Sequence, residues 1–146
     1  MTRIAVVALA AVAFAAPRAK AEALLLIDAA SGKVLHAENA THPWHPASIT
    51  KLMTAYVTLR AVKEGRLKLD SLLTVSETAL AQQPSKMGFP VGTQVTVDNA
   101  IKMLMVKSAN DMAVVLAEGV GGSVEKFADE MNQTSARLGM TQSSWV

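Results

Sequence analysis

The sequence predicts an α+β chain, a short β-hairpin near the N-terminus followed by a helical part. Three observations carry that expectation. An apolar run of strand length, Ala23 to Ala29, leads into a Gly-bearing turn and a second short apolar stretch. From Ile49 onward, apolar residues recur at helical spacing. The 146 residues are 51% hydrophobic and 18% charged, the composition of a globular chain rather than a disordered one. Aromatic residues are few, so Met, Leu, Val and Ala must fill the core.

Residues 1–21 read differently from the rest. Arg3 precedes an apolar run of 13 residues, Ile4 to Ala16, and Ala19-Lys20-Ala21 follows as an A-x-A cleavage site. A short positive start, a short apolar run and small residues at its end define a secretory signal peptide. The run is short for a bilayer span, and Pro17, Arg18 and Lys20 directly after it argue against a buried helix. The segment also carries three basic side chains and no acid. Without Arg3, Arg18 and Lys20, the 14 Lys and Arg become 11 against 12 Asp and Glu, a net of −1. Nucleic acid is therefore not an expected partner. There is no Cys, which excludes thiol chemistry and Cys-based metal sites and leaves an exported protein to fold without disulfides.

Residues 22–146 form the expected mature chain. Ala30-Ser31-Gly32-Lys33 makes the hairpin turn, and Val34-Leu35-His36-Ala37 returns as the partner strand. Asn39 to Pro46 is polar, holds two prolines and reads as a loop. Ile49, Leu52, Met53, Tyr56 and Val57 fall on one face of a helix that closes at Lys63 and Gly65. Arg66 to Val75 reads as a connection and Ser76 to Ala81 as a brief helix. Pro84 to Gly92 is an exposed loop, and Gln94 to Val97 a short strand. Asp98 is the expected cap of a helix that points Ile101, Leu104 and Met105 inward. Lys107-Ser108-Ala109-Asn110 interrupts it, and Met112 to Ala117, apolar all round, reads as a buried helix. Gly119, Gly121 and Gly122 are expected to break the chain. Ser123 then caps a last helix with Val124, Phe127, Met131 and Leu138 inward, closed by Gly139.

Two polar clusters stand out. Ser48-Ile49-Thr50-Lys51 begins a helix with a Lys where a capping box wants Glu or Gln. A cation there also faces the positive end of the helix dipole. On a helix, Ser and Lys three apart lie on the same side, one turn apart. Backbone N–H groups near the Ser Oγ suit a developing oxyanion. A partly buried Lys has a lowered pKa, and a neutral amine within reach of a hydroxyl can act as its base. Spacing alone leaves two readings open, because Ser123-Val124-Glu125-Lys126 has the same pattern and reads as a solvated helix start. The other reading of Ser48 and Lys51 is a cap and a surface lysine. The second cluster, Ser108-Ala109-Asn110, lies 60 residues after Ser48 between two apolar helices. Taken alone it is equally a capping turn.

Together, S-x-x-K followed by S-x-N resembles the signature of penicillin-binding proteins and class A β-lactamases. LLLIDAASGKVLHAENA is similar to that family's N-terminal hairpin, HPASITKLMTAYV to its nucleophile helix and MLMVKSANDMAVVLAE to its second motif. Within it, the chain from about Ala23 to Trp145 resembles the exported serine D-alanyl-D-alanine carboxypeptidases, the low-molecular-mass penicillin-binding proteins. The resemblance implies a β-lactamase/DD-transpeptidase-like α+β fold. It implies Ser48 as acyl-enzyme nucleophile, Lys51 as its base and Ser108 as proton relay to the leaving group. Asn110 would bond Lys51 and the substrate amide. The implied substrate is the D-Ala-D-Ala end of a peptidoglycan pentapeptide, with β-lactams as inhibitors and no cofactor or metal. It places the protein in the periplasm or on the outer face of the cytoplasmic membrane, with peripheral association through a C-terminal segment outside this chain.

The third motif of that signature, K-T-G, is absent, and Lys107-Ser108-Ala109 fails at its last position. The expectation is a C-terminally incomplete chain that lacks most of the central sheet. The competing readings are a β-lactamase or DD-endopeptidase of the same fold, and an inactive fragment that only binds cell wall. No Glu stands out to activate a deacylating water, as a β-lactamase needs. A His-based triad is excluded in the Ser-first order, since His36, His42 and His45 all precede Ser48. His42 and His45 beside Trp44 are too thin for a metal site and read as loop residues. Asp111 is expected to favour the N-terminus of the following helix. Pro84 to Gly92 either borders the cleft or is an ordinary loop. Met103, Met105 and Met112 read as core fillers.

Overall fold

The computed structural model describes residues 23–146, so the expected signal peptide lies outside the described residues. The chain divides into two compact units, one ending at Trp44 and the other running from His45 to Val146.

In the first unit β1 (Leu24–Ile27) pairs antiparallel with β2 (Val34–Glu38), Leu24 opposite Glu38 and Leu26 opposite His36. The turn forms for two local reasons. The Asp28 carboxylate accepts the backbone N–H and hydroxyl of Ser31, and Gly32 takes φ +70°. The hairpin is the one the sequence predicts.

The second unit runs through a 3-10 turn (Ala47–Thr50), α1 (Lys51–Lys63), β3 (Leu72–Thr74), α2 (Glu77–Leu80), β4 (Gln94–Thr96), α3 (Val97–Lys107), α4 (Asn110–Gly121) and α5 (Val124–Arg137). β3 and β4 pair antiparallel, Leu73 opposite Val95. α4 is the axis of this unit and packs against the other four helices and β3. Its Met112, Val115 and Leu116 share a core with Leu73, Val75, Val97 and Leu104, and its Ala117 joins a second cluster with Met53, Val57, Phe127 and Met131. Burying aliphatic side chains of this size stabilises by about 1.5–3 kcal/mol each.

Several local expectations are corrected. α1 is rotated from its predicted face: Met53 and Val57 are buried, but Ile49, Leu52 and Tyr56 are exposed. The buried side is instead Lys51, Met53, Thr54, Ala55, Val57, Thr58 and Ala61. The helix is apolar on two sides, so periodicity alone does not choose between them. Thr58 tolerates burial because its hydroxyl donates to the Thr54 carbonyl at 2.8 Å. The predicted connection 66–75 contains β3, whose single buried residue Leu73 gives no period to read. α3 is capped by Thr96, which accepts from the Asn99 N–H at 3.2 Å, and Asp98 sits in the first turn paired with Lys102. Met105 and Leu138 point outward. Gly119 and Gly121 do not break the chain, because α4 continues through both and ends at Gly122 with φ +82°. Their value is proximity. A Cβ on Gly121 would lie 2.8 Å from the Phe127 backbone nitrogen, and one on Gly119 2.5 Å from a Leu73 methyl.

Candidate active site

Ser48 does not cap α1. It lies inside the 3-10 turn, where no side-chain cap is made, and Ala47 before it takes φ +47°. The turn is tied by the Thr50 hydroxyl, which donates to the Ala47 carbonyl at 2.7 Å. Lys51 is therefore the first residue of α1, one turn after Ser48, and its side chain returns toward the Ser hydroxyl.

The Ser108 region forms for equally local reasons. α3 ends at Lys107, and Ser108 occupies the left-handed cap position at φ 58°, ψ 38°, where glycine is the usual residue. Ala109 returns to extended geometry and Asn110 opens α4. This sharp reversal places Ser108 and Asn110 on one side of the turn.

The two segments meet at a single atom. Lys51 Nζ lies 3.1 Å from Ser48 Oγ, 3.1 Å from Ser108 Oγ and 2.6 Å from Asn110 Oδ1. Lys51 is only 8% exposed, and none of the three groups is a carboxylate. Burial lowers the Lys51 pKa from its ordinary 10.5, since no opposite charge offsets the loss of water. As an ammonium, Nζ has three hydrogens for three acceptors. As an amine it keeps two, and a lone pair must then face one partner. The Asn110 carbonyl oxygen can only accept, so the lone pair falls to the hydroxyls of Ser48 and Ser108. This arrangement can draw a proton from a serine.

Ser48, Lys51 and Asn110 open onto a cleft of about 550 Å³ that Gln82, Trp145 and Val146 also line. Trp145 is held there by Asn132, which bonds its backbone N–H and carbonyl, and by its indole N–H to Ser135 Oγ. The control pair behaves as the sequence suggests. Ser123 Oγ accepts from the Lys126 backbone N–H at 3.2 Å as an ordinary cap.

Residues that the sequence reading missed surround the S-x-N turn. The Gln83 carbonyl accepts from Asn110 Nδ2 at 2.8 Å, and the Ser85 carbonyl from the Asn110 N–H at 2.8 Å. Asp111, expected to serve only its helix N-terminus, is fully buried and also accepts from Met87 and Gly88 N–H groups. The Pro84–Gly92 segment thus begins against the site. One signal was available: an acid leading a helix that is apolar all round needs buried partners. Those partners are backbone amides, which no side-chain pattern reveals.

The fold is that of the D-alanyl-D-alanine carboxypeptidases and penicillin-binding proteins. Residues 10–146 match the peptidase S11 model, D-alanyl-D-alanine carboxypeptidase, and the chain belongs to that family. It is 40% identical over 136 residues to D-alanyl-D-alanine carboxypeptidase DacC of Escherichia coli, covering 89% of this chain and 34% of that one. Its fold is similar to the crystal structure of D-alanyl-D-alanine carboxypeptidase DacD from Francisella tularensis, with TM-score 0.80 and 35% identity, covering 85% of this chain and 30% of that one. It is also similar to penicillin-binding protein D2 from Listeria monocytogenes in its ampicillin-bound form, with TM-score 0.67 and 28% identity, covering 85% of this chain and 49% of that one. The chain spans about a third of the length of the curated relatives it matches.

Proposed function

We propose that this chain carries the nucleophile and proton-transfer groups of a serine D-Ala-D-Ala carboxypeptidase acting on peptidoglycan stem peptides. The observation that carries the reading is the single buried amine shared by two serine hydroxyls and an amide oxygen. Ser48 Oγ attacks the carbonyl of the D-Ala-D-Ala peptide bond while Lys51 Nζ takes its proton. The tetrahedral centre collapses, the C–N bond breaks, and the proton passes from Nζ through Ser108 Oγ to the departing D-Ala nitrogen. Water then attacks the Ser48 ester, giving a proton to Lys51 as Ser48 Oγ regains one. The products are D-Ala and a peptide shorter by one residue. Asn110 keeps Nζ in place and bonds the substrate amide. A β-lactam presents a strained amide to the same serine and acylates it, which the ampicillin-bound relative supports.

Residues 1–21 act in this reading as a signal peptide, so the protein works outside the cytoplasmic membrane. Among the described residues no helix is long and apolar enough to cross a membrane.

A fluorescent penicillin tests the reading. The folded chain should take one covalent label, Ser48→Ala should take none, and the label should persist for many minutes. A folded chain that takes no label sinks the proposal for this polypeptide. Rapid release of hydrolysed penicillin would move the assignment to a β-lactamase.

A further inference from the structure

Asp111 is 0% exposed, yet it stands next to a site whose chemistry does not use it. Its Oδ1 accepts from the Met112 N–H at 2.9 Å, and its Oδ2 accepts from the N–H groups of Met87 and Gly88, each at 2.9 Å. Charge-assisted bonds of this kind are the stronger class of hydrogen bond, and a buried carboxylate is costly unless it makes them. Asp111 therefore fixes one end of the strap 83–88 to the start of α4. The middle of the strap is fixed where Ser85 Oγ donates to the Lys107 carbonyl at 3.0 Å. The Ser85 carbonyl holds the Asn110 backbone N–H, and at the far end of the strap, two residues before that anchor, the Gln83 carbonyl holds Asn110 Nδ2.

The last contact has a chemical consequence. A side-chain amide has one accepting end and one donating end. The Gln83 carbonyl can only accept, so it claims the NH2 end and leaves Oδ1 toward Lys51 Nζ. A reversed amide would set an NH2 against the ammonium and compete for the lone pair once the proton leaves. We propose that Asp111 is a positioning residue, which through the strap 83–88 fixes the orientation of the Asn110 amide and thereby the direction of the Lys51 lone pair. Within the proposed reaction this makes the strap part of the base.

Two magnetic resonance readouts on the full chain test this, and neither requires Ser48 to react. The first is exchange of the Asn110 side-chain amide protons. The second is the titration midpoint of Lys51, followed at its Cε. In Asp111→Asn, one accepting oxygen of the clamp becomes a donor. The Asn110 amide protons should then exchange about tenfold faster, the effect expected for loss of one hydrogen bond. The Lys51 midpoint should fall, as it should in Asn110→Ala, because the ammonium loses its shortest partner. Because Asp111→Asn also removes a negative charge, which alone would lower the midpoint, the positioning role is read from a fall shared with the charge-neutral Ser85→Ala; a residue that merely stabilised the fold would leave that midpoint unchanged. Ser85→Ala loosens the middle of the strap at an exposed bond, so it carries the same two readouts if Asp111→Asn folds poorly. Wild-type exchange at Asn110 in both strap variants refutes the positioning role. So does a Lys51 midpoint that moves in Asn110→Ala and in neither strap variant. Penicillin labelling, scored separately, decides the proposed reaction.

Discussion

Replacing Ser108 by Gly should leave the chain more stable than replacing it by Ala, and either change should make it less reactive. Ser108 holds φ 58°, ψ 38°, a conformation that costs a residue with a Cβ roughly 1–2 kcal/mol and glycine very little. Glycine gives back part of that gain through its freer unfolded chain, roughly 0.4–1 kcal/mol. Ala is the correct reference, because it also lacks the hydroxyl but keeps the Cβ. Ser108→Gly should therefore exceed Ser108→Ala in stability by up to about 1.6 kcal/mol. With a urea slope of about 1–3 kcal/mol per M for a chain of this size, the midpoints should differ by up to about 1.6 M. Both variants remove the hydroxyl 3.1 Å from Lys51 Nζ and should slow acylation of Ser48 by penicillin alike. A Gly midpoint below that of Ala would show that the left-handed turn stores too little strain to outweigh glycine's freer unfolded chain. A Gly variant that acylates at the wild-type rate would show that Ser108 is only a cap.

Lys51→Ala should abolish penicillin labelling while circular dichroism stays close to wild type, and Lys126→Ala should leave the labelling rate unchanged. Equal losses in the two would refute the choice between the S-x-x-K pairs. The acylation rate should rise with pH and level off below 10.5, because burial lowers the Lys51 pKa and the neutral amine is the base. The same shift acts on stability: the folded state releases the proton before the unfolded chain does, so the cost of burying the cation fades as pH rises through the folded pKa toward 10.5. An acylation rate that still rises with pH above 10.5 would rule this out. Gly121→Ala should destabilise more than Gly119→Ala in thermal unfolding, since the first meets the Phe127 backbone and the second a Leu73 methyl that can turn aside. The reverse order would mean that α5 shifts more easily than Leu73.

The parts legible in the sequence are those written in side-chain type and short spacing. Gly32 and its neighbours encode a hairpin turn, Ser123 a cap, and Ser48, Lys51, Ser108 and Asn110 a gathering of polar groups that the fold does bring to one nitrogen. What stayed hidden depends on partners distant in sequence. The face of α1 was misread because Leu52 and Tyr56 repeat as regularly as Met53 and Val57, and only the neighbours of Met53 and Val57 decide between them. Thr96 displaced Asp98 as a cap because β4 ends one residue before α3 begins. Gly121 read as a breaker, since its use is the approach of a backbone that sequence cannot place. The work of Asp111 was invisible for the same reason, because its acceptors find peptide N–H groups 23 and 24 residues away.

The three contacts at Lys51 also govern how damage to the site will combine. Each of Ser48, Ser108 and Asn110 acts through the same nitrogen, so none has a contribution that can be subtracted independently of the others. In the proposed reaction, once Lys51 is gone Asn110 has no base to position and Ser108 no proton to relay. A protein lacking all three partners of Ser48 should then react with penicillin about as slowly as one lacking Lys51 alone. In the proposed reaction the four side chains therefore act as one unit of function.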